Sequence, residues 1–184
     1  MALTERNVRR YARRYARVIE GATPYDISQA CSWYSDAERQ CEELAYQHEI
    51  PVAVACGVVA AWSPRMPWKR NLEVADAWLR GETGLGLGSS VVRARDVMRW
   101  GISALDKPTS PKTYNFALNL FGDTDAVTID IHMVRAAGID DRDAPTRVQY
   151  RNMVAATRRL ARRWRMQPRD MQALIWIMQR GRAE

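Results

Sequence analysis

Two residues in the stretch SPKTYNFALNLFGDTDAVTIDIHMVR, residues 110–135, carry groups that could do chemistry: the Lys112 amine and the Asp130 carboxylate. A lysine amine becomes a nucleophile once burial or nearby cations strip its proton. A carboxylate stabilises positive charge or takes up a proton. Local signals place both groups at helix starts. Ser110 caps a helix and Pro111 takes its first position, where a missing N–H costs nothing. Lys112 then sits in the first turn, residues 113–121 supply the body, and Gly122 stops it. Asp123 and Asp125 fill the turn. Ala126, Val127 and Ile129 run into the interior and bring Asp130 to the N-cap of a helix carrying Ile131, Met133 and Val134. The dipole and the free N–H groups of that helix favour a carboxylate. On local chemistry alone, Asp130 reads first as a cap.

A second group of side chains lies in WSPRMPWKRN, residues 62–71. Two prolines hold its start irregular. Its mixture of aromatic, cationic and amide groups suits bases and phosphates. Arg65, Lys69 and Arg70 are the cations, and Trp62 reads equally well as a core tryptophan at a helix end. Further arginines gather at Arg9, Arg10, Arg13 and Arg14, and again at Arg158, Arg159, Arg162, Arg163 and Arg165. Their plainer readings are a solvated helix face and a complement to a helix C-terminus. GETGLGLG, residues 81–88, lacks the Lys-Ser/Thr pair of a phosphate-binding loop and follows no strand, so it reads as a flexible link.

Helical periodicity organises the elements that position these groups. Residues 4–20 form an amphipathic helix with Val8, Tyr11, Tyr15 and Val18 on one face. Residues 21–24 break it, and residues 25–33 form a short helix or turn. Ser35-Asp36-Ala37-Glu38 fits a capping box opening a helix to about His48, with Ala37, Cys41, Leu44 and Ala45 inward. Pro51 starts residues 52–61, apolar on nearly every face and therefore a central buried helix. Residues 67–80 turn Leu72, Ala75, Trp78 and Leu79 inward. Ser89 or Ser90 caps a helix through Trp100, and residues 102–105 form a short helix into the hairpin at 107–111. After Asp130, Ala136-Ala137-Gly138 ends its helix and residues 140–145 form a polar loop. Residues 146–165 make a long helix, and Pro168 starts the last one, where Met171, Leu174, Ile175 and Met178 pack and Trp176 touches neighbours. No strand and no repeat emerge.

The 184 residues suffice for one compact domain or two small lobes, and 47% are hydrophobic. The formal net charge of +7 and the pI near 9.7 suit a polyanionic partner, nucleic acid before membrane. Three scattered cysteines, Cys31, Cys41 and Cys56, are no disulfide framework and point to a reducing compartment. Two histidines exclude a His-rich metal site. The first residues lack the apolar core of a signal peptide, and the longest apolar stretch, 52–62, is too short to span a bilayer. A soluble, cytoplasmic protein is expected.

The chain resembles the endonuclease-III-like DNA glycosylases of the helix-hairpin-helix superfamily. In that family a GxG hairpin leads through a Lys-Thr pair into a helix, and a later V-D-T-H-type segment carries the catalytic Asp. Here Lys112-Thr113 precedes Ile129-Asp130-Ile131-His132, the spacing matches without a gap, and Arg135 follows at the usual place. Asn115 and Gly122 also agree. The similarity covers roughly residues 50–137 and faintly the C-terminus. Two departures stand out. Thr109-Ser110-Pro111 replaces the hairpin glycines, so the backbone grip on phosphate is changed. No cysteine follows Cys56, so the four-cysteine iron–sulfur cluster of many members is absent.

The resemblance implies an all-α, two-lobed glycosylase-like fold, one lobe near residues 35–122 and the other from 1–34 and 123–184, with the active site between them. It implies a monomer that flips a base out of double-stranded DNA and excises it. Asp130 would stabilise charge on the sugar or activate the nucleophile. Lys112 would attack C1′ and form a Schiff base, adding AP-lyase strand cleavage. The turn after the buried helix would fill the space left by the flipped nucleotide, with Trp62 or Ser63 nearest. Arg65, Lys69, Arg70, Ser110, His132 and Arg135 would contact DNA. No metal, redox cofactor or membrane is required. Two other readings stay open: a phage-type DNA base-modification enzyme on the same fold, and a non-catalytic DNA-binding protein.

Overall fold

The structure, a computed structural model, describes residues 4–107, 111–139 and 145–181. Among these residues all regular structure is helical and no strand occurs, so the chain is all-α. The helices are α1 (Glu5–Val18), α2 (Pro24–Gln47), α3 (Val52–Trp62), α4 (Trp68–Leu79), α5 (Gly88–Trp100), α6 (Pro111–Leu120), α7 (Ile131–Ala136), α8 (Arg147–Trp164) and α9 (Pro168–Arg180). A 3-10 turn at Ile102–Leu105 lies between α5 and α6. No single described helix is long and apolar enough to cross a membrane.

The chain divides into two compact units. One takes the chain up to Tyr34 and the described chain from Thr124; the other is Ser35–Asp123. The chain passes from the first to the second inside α2.

In the first unit α1 packs on α8, and α9 packs on α7 and α8. Val8, Tyr11 and Tyr15 of α1, Met153, Ala156 and Leu160 of α8, and Met171, Leu174 and Ile175 of α9 are buried. Two tyrosines fix the segment that leads into α7. The Tyr150 hydroxyl donates to the Val127 carbonyl at 3.0 Å and accepts from the Ile129 N–H at 3.3 Å. The Tyr15 hydroxyl donates to the Met133 carbonyl at 3.2 Å. Burial, then the neighbouring Tyr11 and Asp130, pushes the Tyr15 phenol well above its ordinary range, so the hydroxyl stays a donor.

In the second unit α3 is the central element, in contact with α4, α5, α6 and the 3-10 turn. Residues from Ala55 to Trp62 are buried throughout, as an all-apolar helix requires. Gly57 permits the close approach of α5: a Cβ there would lie 2.6 Å from Val97 Cγ1. Buried Cys41 and Cys56 meet between α2 and α3, and their mutual hydrogen bond, then burial, raises the Cys41 thiol. All three cysteines are free thiols.

Three local expectations are corrected. The segment 25–33 and the helix expected from Ser35 are one continuous helix. Its cap is formed upstream: the Thr23 N–H and hydroxyl donate to Asp26 Oδ2 at 2.8 and 2.6 Å, and the Asp26 N–H returns to the Thr23 hydroxyl at 3.2 Å. Ser35 therefore lies mid-helix. Neither Ser89 nor Ser90 caps α5: it begins at Gly88 after Leu87 with no side-chain cap, and Ser90 is buried. On α4 the buried face is Asn71, Val74, Ala75 and Ala77, while Leu72, Trp78 and Leu79 are only half-buried.

Candidate functional site

Asp130 is the N-cap of α7, in extended conformation. Both oxygens are held. Oδ1 accepts from the Met133 N–H at 3.0 Å, and Oδ2 accepts from Trp176 Nε1 at 3.1 Å. The first bond is the local cap. The second comes from α9, 46 residues away, and fixes the carboxylate's plane. The group is half-buried, so it is neither a core charge nor a solvated one.

Aromatic rings surround Trp176. Its ring centroid lies 6.1 Å from Trp33 and 6.2 Å from His132, the latter edge-on. Trp33 meets Tyr34 edge-on at 4.7 Å. The Arg180 guanidinium lies 5.0 Å from the Trp176 ring centroid, and that of Arg169 lies 5.7 Å from the Tyr34 ring centroid. The Tyr34 hydroxyl donates to Gln172 Oε1 at 2.6 Å, and burial raises this phenol, keeping it protonated. Trp33, His132 and Trp176 are each half-buried. The arrangement places a fixed carboxylate at the edge of an indole whose face carries the Arg180 guanidinium. A fixed carboxylate of this kind can stabilise positive charge that develops next to it.

Lys112 belongs to the second unit. It is the second residue of α6 and half-buried. Asn115 Nδ2 donates to the Pro111 carbonyl at 2.7 Å and ties down that first turn. Ser110 lies outside the described residues.

The turn after α3 has a core side and a surface side. Trp62 is 1% exposed, its ring 6.3 Å from that of Trp78, with Gly86 against its edge. Its position is that of a core tryptophan, at odds with the expectation that it faces DNA; apolar area closes over it from α4 and the glycine-rich link. Ser63 is half-buried and its hydroxyl donates back to the Ala60 carbonyl at 2.8 Å. Arg65 is exposed, with φ of 62° in the left-handed region that non-glycine residues rarely adopt. Lys69 and Arg70 are exposed on the first turn of α4, and Arg70 pairs with Glu73 at 3.0 Å. Trp68 anchors the turn: its Nε1 donates to Gln40 at 2.7 Å and its ring meets Phe116 of α6 edge-on at 6.3 Å. In the first unit Arg135 is exposed in the last turn of α7.

The structure thus groups Asp130 with His132 in one unit, and Arg65, Lys69 and Arg70 in the other. The sequence expects Gln172, with Trp176, to contact neighbours, but it does not single out Trp33, Tyr34, Arg169 or Arg180, because their meeting joins α2 and α9, distant in the chain. No cluster of three or more His, Cys, Asp or Glu side chains forms a metal site among the described residues.

Fold and site together define a basic, all-helical protein with a fixed, half-buried carboxylate among aromatic rings. The chain belongs to DUF7178, a family of unknown function whose model matches residues 1–183. No curated protein and no solved structure matches it.

Proposed function

We propose that the protein excises a base from double-stranded DNA. The observation that carries this reading is the Asp130 carboxylate, held by both oxygens at the edge of the Trp176 indole, which itself neighbours Trp33 and His132. A base rotated out of the stack needs flat surfaces to replace its lost stacking. Breaking its bond to the sugar develops positive charge at C1′, which a fixed carboxylate stabilises. Lys112 then supplies the nucleophile. Its neutral amine attacks C1′ as the base departs with the bonding electron pair and gains a proton. Loss of a proton from nitrogen and opening of the sugar ring give a Schiff base, from which the 3′ phosphate is eliminated. This scheme uses no metal or redox cofactor, and the protein acts as a monomer. Arg65, Lys69 and Arg70 hold the duplex, with His132, Arg135 and Ser110 as further contacts.

The test is borohydride trapping on a panel of single-lesion duplexes. Wild type gives a covalent protein–DNA adduct and releases a free base; Lys112→Ala gives no adduct. An altered nucleoside instead of a free base makes the protein a base-modification enzyme. Binding without any product, unchanged in Asp130→Asn, makes it a DNA-binding protein only.

A further inference from the structure

Within the first unit, α1 and α8 leave a groove of about 530 Å³ between them, lined by Arg9, Ala12, Arg13, Ala16, Arg159, Leu160 and Arg163. Ala12 and Leu160 are buried and form an apolar floor; all four arginines are exposed along its walls. Arginines 9 and 13 are one helical turn apart, as are 159 and 163, so successive guanidiniums on each wall are spaced by roughly 6 Å along the axis. One carboxylate answers them. Glu5 accepts from Arg9 and from Arg159, each at 2.7 Å, and those two bonds hold its carboxyl below the ordinary range. Arg13 and Arg163 have no acidic partner among the described residues. The other α1 arginines are used differently: Arg10 lies over Tyr11, and the Arg14 guanidinium lies against Gly138.

Four guanidiniums answered by one carboxylate leave an excess of positive charge along one concavity, which an entering anion relieves. Guanidinium forks match phosphate oxygens in geometry as well as charge. Two parallel rows, rather than one pair, fit a run of regularly spaced phosphates. The lining contains no aromatic ring, so it offers nothing for unstacked bases to stack on, as single-strand binders do. Nor does it fit a lipid surface. Among the large apolar side chains that the described residues expose, none is on α1 and only Trp164 is on α8.

We propose that the α1–α8 groove grips the phosphate backbone of one strand of duplex DNA, independently of sequence. The proposal shares its partner with the reading above but not its chemistry, and Asp130 plays no part in it. The experiment measures binding of the full-length protein to an undamaged duplex across a salt series. The single strand of the same length and anionic phospholipid vesicles serve as comparison partners. Arg13→Gln with Arg163→Gln should weaken duplex binding about tenfold or more at low salt and flatten the log–log salt slope by about 1.8, two phosphate contacts' worth. Arg17→Gln with Arg95→Gln, an equal charge change outside the groove, should move the slope far less. Glu5→Gln should tighten binding by freeing Arg9 and Arg159. All these side chains are exposed, and circular dichroism checks that each variant is folded. An unchanged slope in the groove variant, an equal loss in the control pair, tighter binding to the single strand, or binding to vesicles alone overturns the proposal. Asp130→Asn should leave this binding intact, so loss of base excision and loss of the groove are read separately.

Discussion

At the scale of single residues, Asp130 was legible and its setting was not. A carboxylate after Ala126-Val127-Thr128-Ile129 and before Ile131 is a cap by local rules, and the structure has that cap. Trp176 Nε1 on Oδ2 depends on how α9 packs against α7, which no local pattern encodes. The two oxygens can be separated by experiment. Asn keeps the cap through its one oxygen but turns an NH2 toward the Trp176 N–H, so Asp130→Asn should lose about 1 kcal/mol of stability and yield no excised base. Asp130→Ala should lose product and also about 1 kcal/mol of stability, read by urea denaturation. Trp176→Phe keeps a ring but removes the N–H that orients Oδ2. Single-turnover excision should slow about tenfold or more, while duplex affinity holds. If Trp176→Phe weakens binding and leaves turnover alone, the ring is a contact surface and not a positioning group. Trp62 gives the opposite lesson: a tryptophan at a helix end reads either way, and only the fold over it decides. With 1% of its surface exposed, Trp62→Ala should destabilise by about 3–5 kcal/mol, a large loss of Tm with no selective effect on lesions.

Among the elements, apolar patterning and proline, glycine or capping stops located α1, α3, α6, α8 and α9 to within a few residues. The failure at α2 has a physical cause. Ser35-Asp36-Ala37-Glu38 satisfies the capping-box pattern, but residues 25–50 contain no glycine or proline to stop the helix before it. The box that operates is Thr23-Pro24-Tyr25-Asp26, where the two side chains answer each other's backbone N–H. A serine inside a helix is nearly neutral when exposed, whereas a working cap is worth about 1 kcal/mol. Thr23→Ala should therefore lower the unfolding free energy by about that amount, and Ser35→Ala should leave it within about 0.5 kcal/mol. Equal losses at both positions would mean that α2 is two helices in solution. The α5 start fails for a related reason: Ser90 turns into the core, so a residue type that favours caps is used as a small buried side chain.

For the whole molecule, composition decided most of what could be read: an apolar fraction large enough for real cores, a helical period throughout, and an excess of +7 that asks for an anionic partner. The all-α class follows from the first two. Where the positive charge is used does not follow, because it depends on which arginines are already paired. The turn after α3 shows this. Arg70 shares its guanidinium with Glu73, while Lys69 on the same helical turn has no such partner among the described residues. Lys69→Ala with Arg70→Ala should weaken binding to damaged and undamaged duplexes alike and flatten the salt slope by about one to two units, with Lys69 contributing the larger share. Arg65 adds an independent reading. At φ of 62° its backbone is strained by about 1 kcal/mol relative to glycine, a conformation the chain keeps although it costs stability. Arg65→Gly should then raise the melting temperature while lowering duplex affinity, the two moving in opposite directions. A gain in stability with unchanged affinity would make Arg65 a turn residue only. Wild-type affinity and slope in the Lys69/Arg70 double variant would mean that this turn does not face DNA, leaving the arginines of the first unit to hold it.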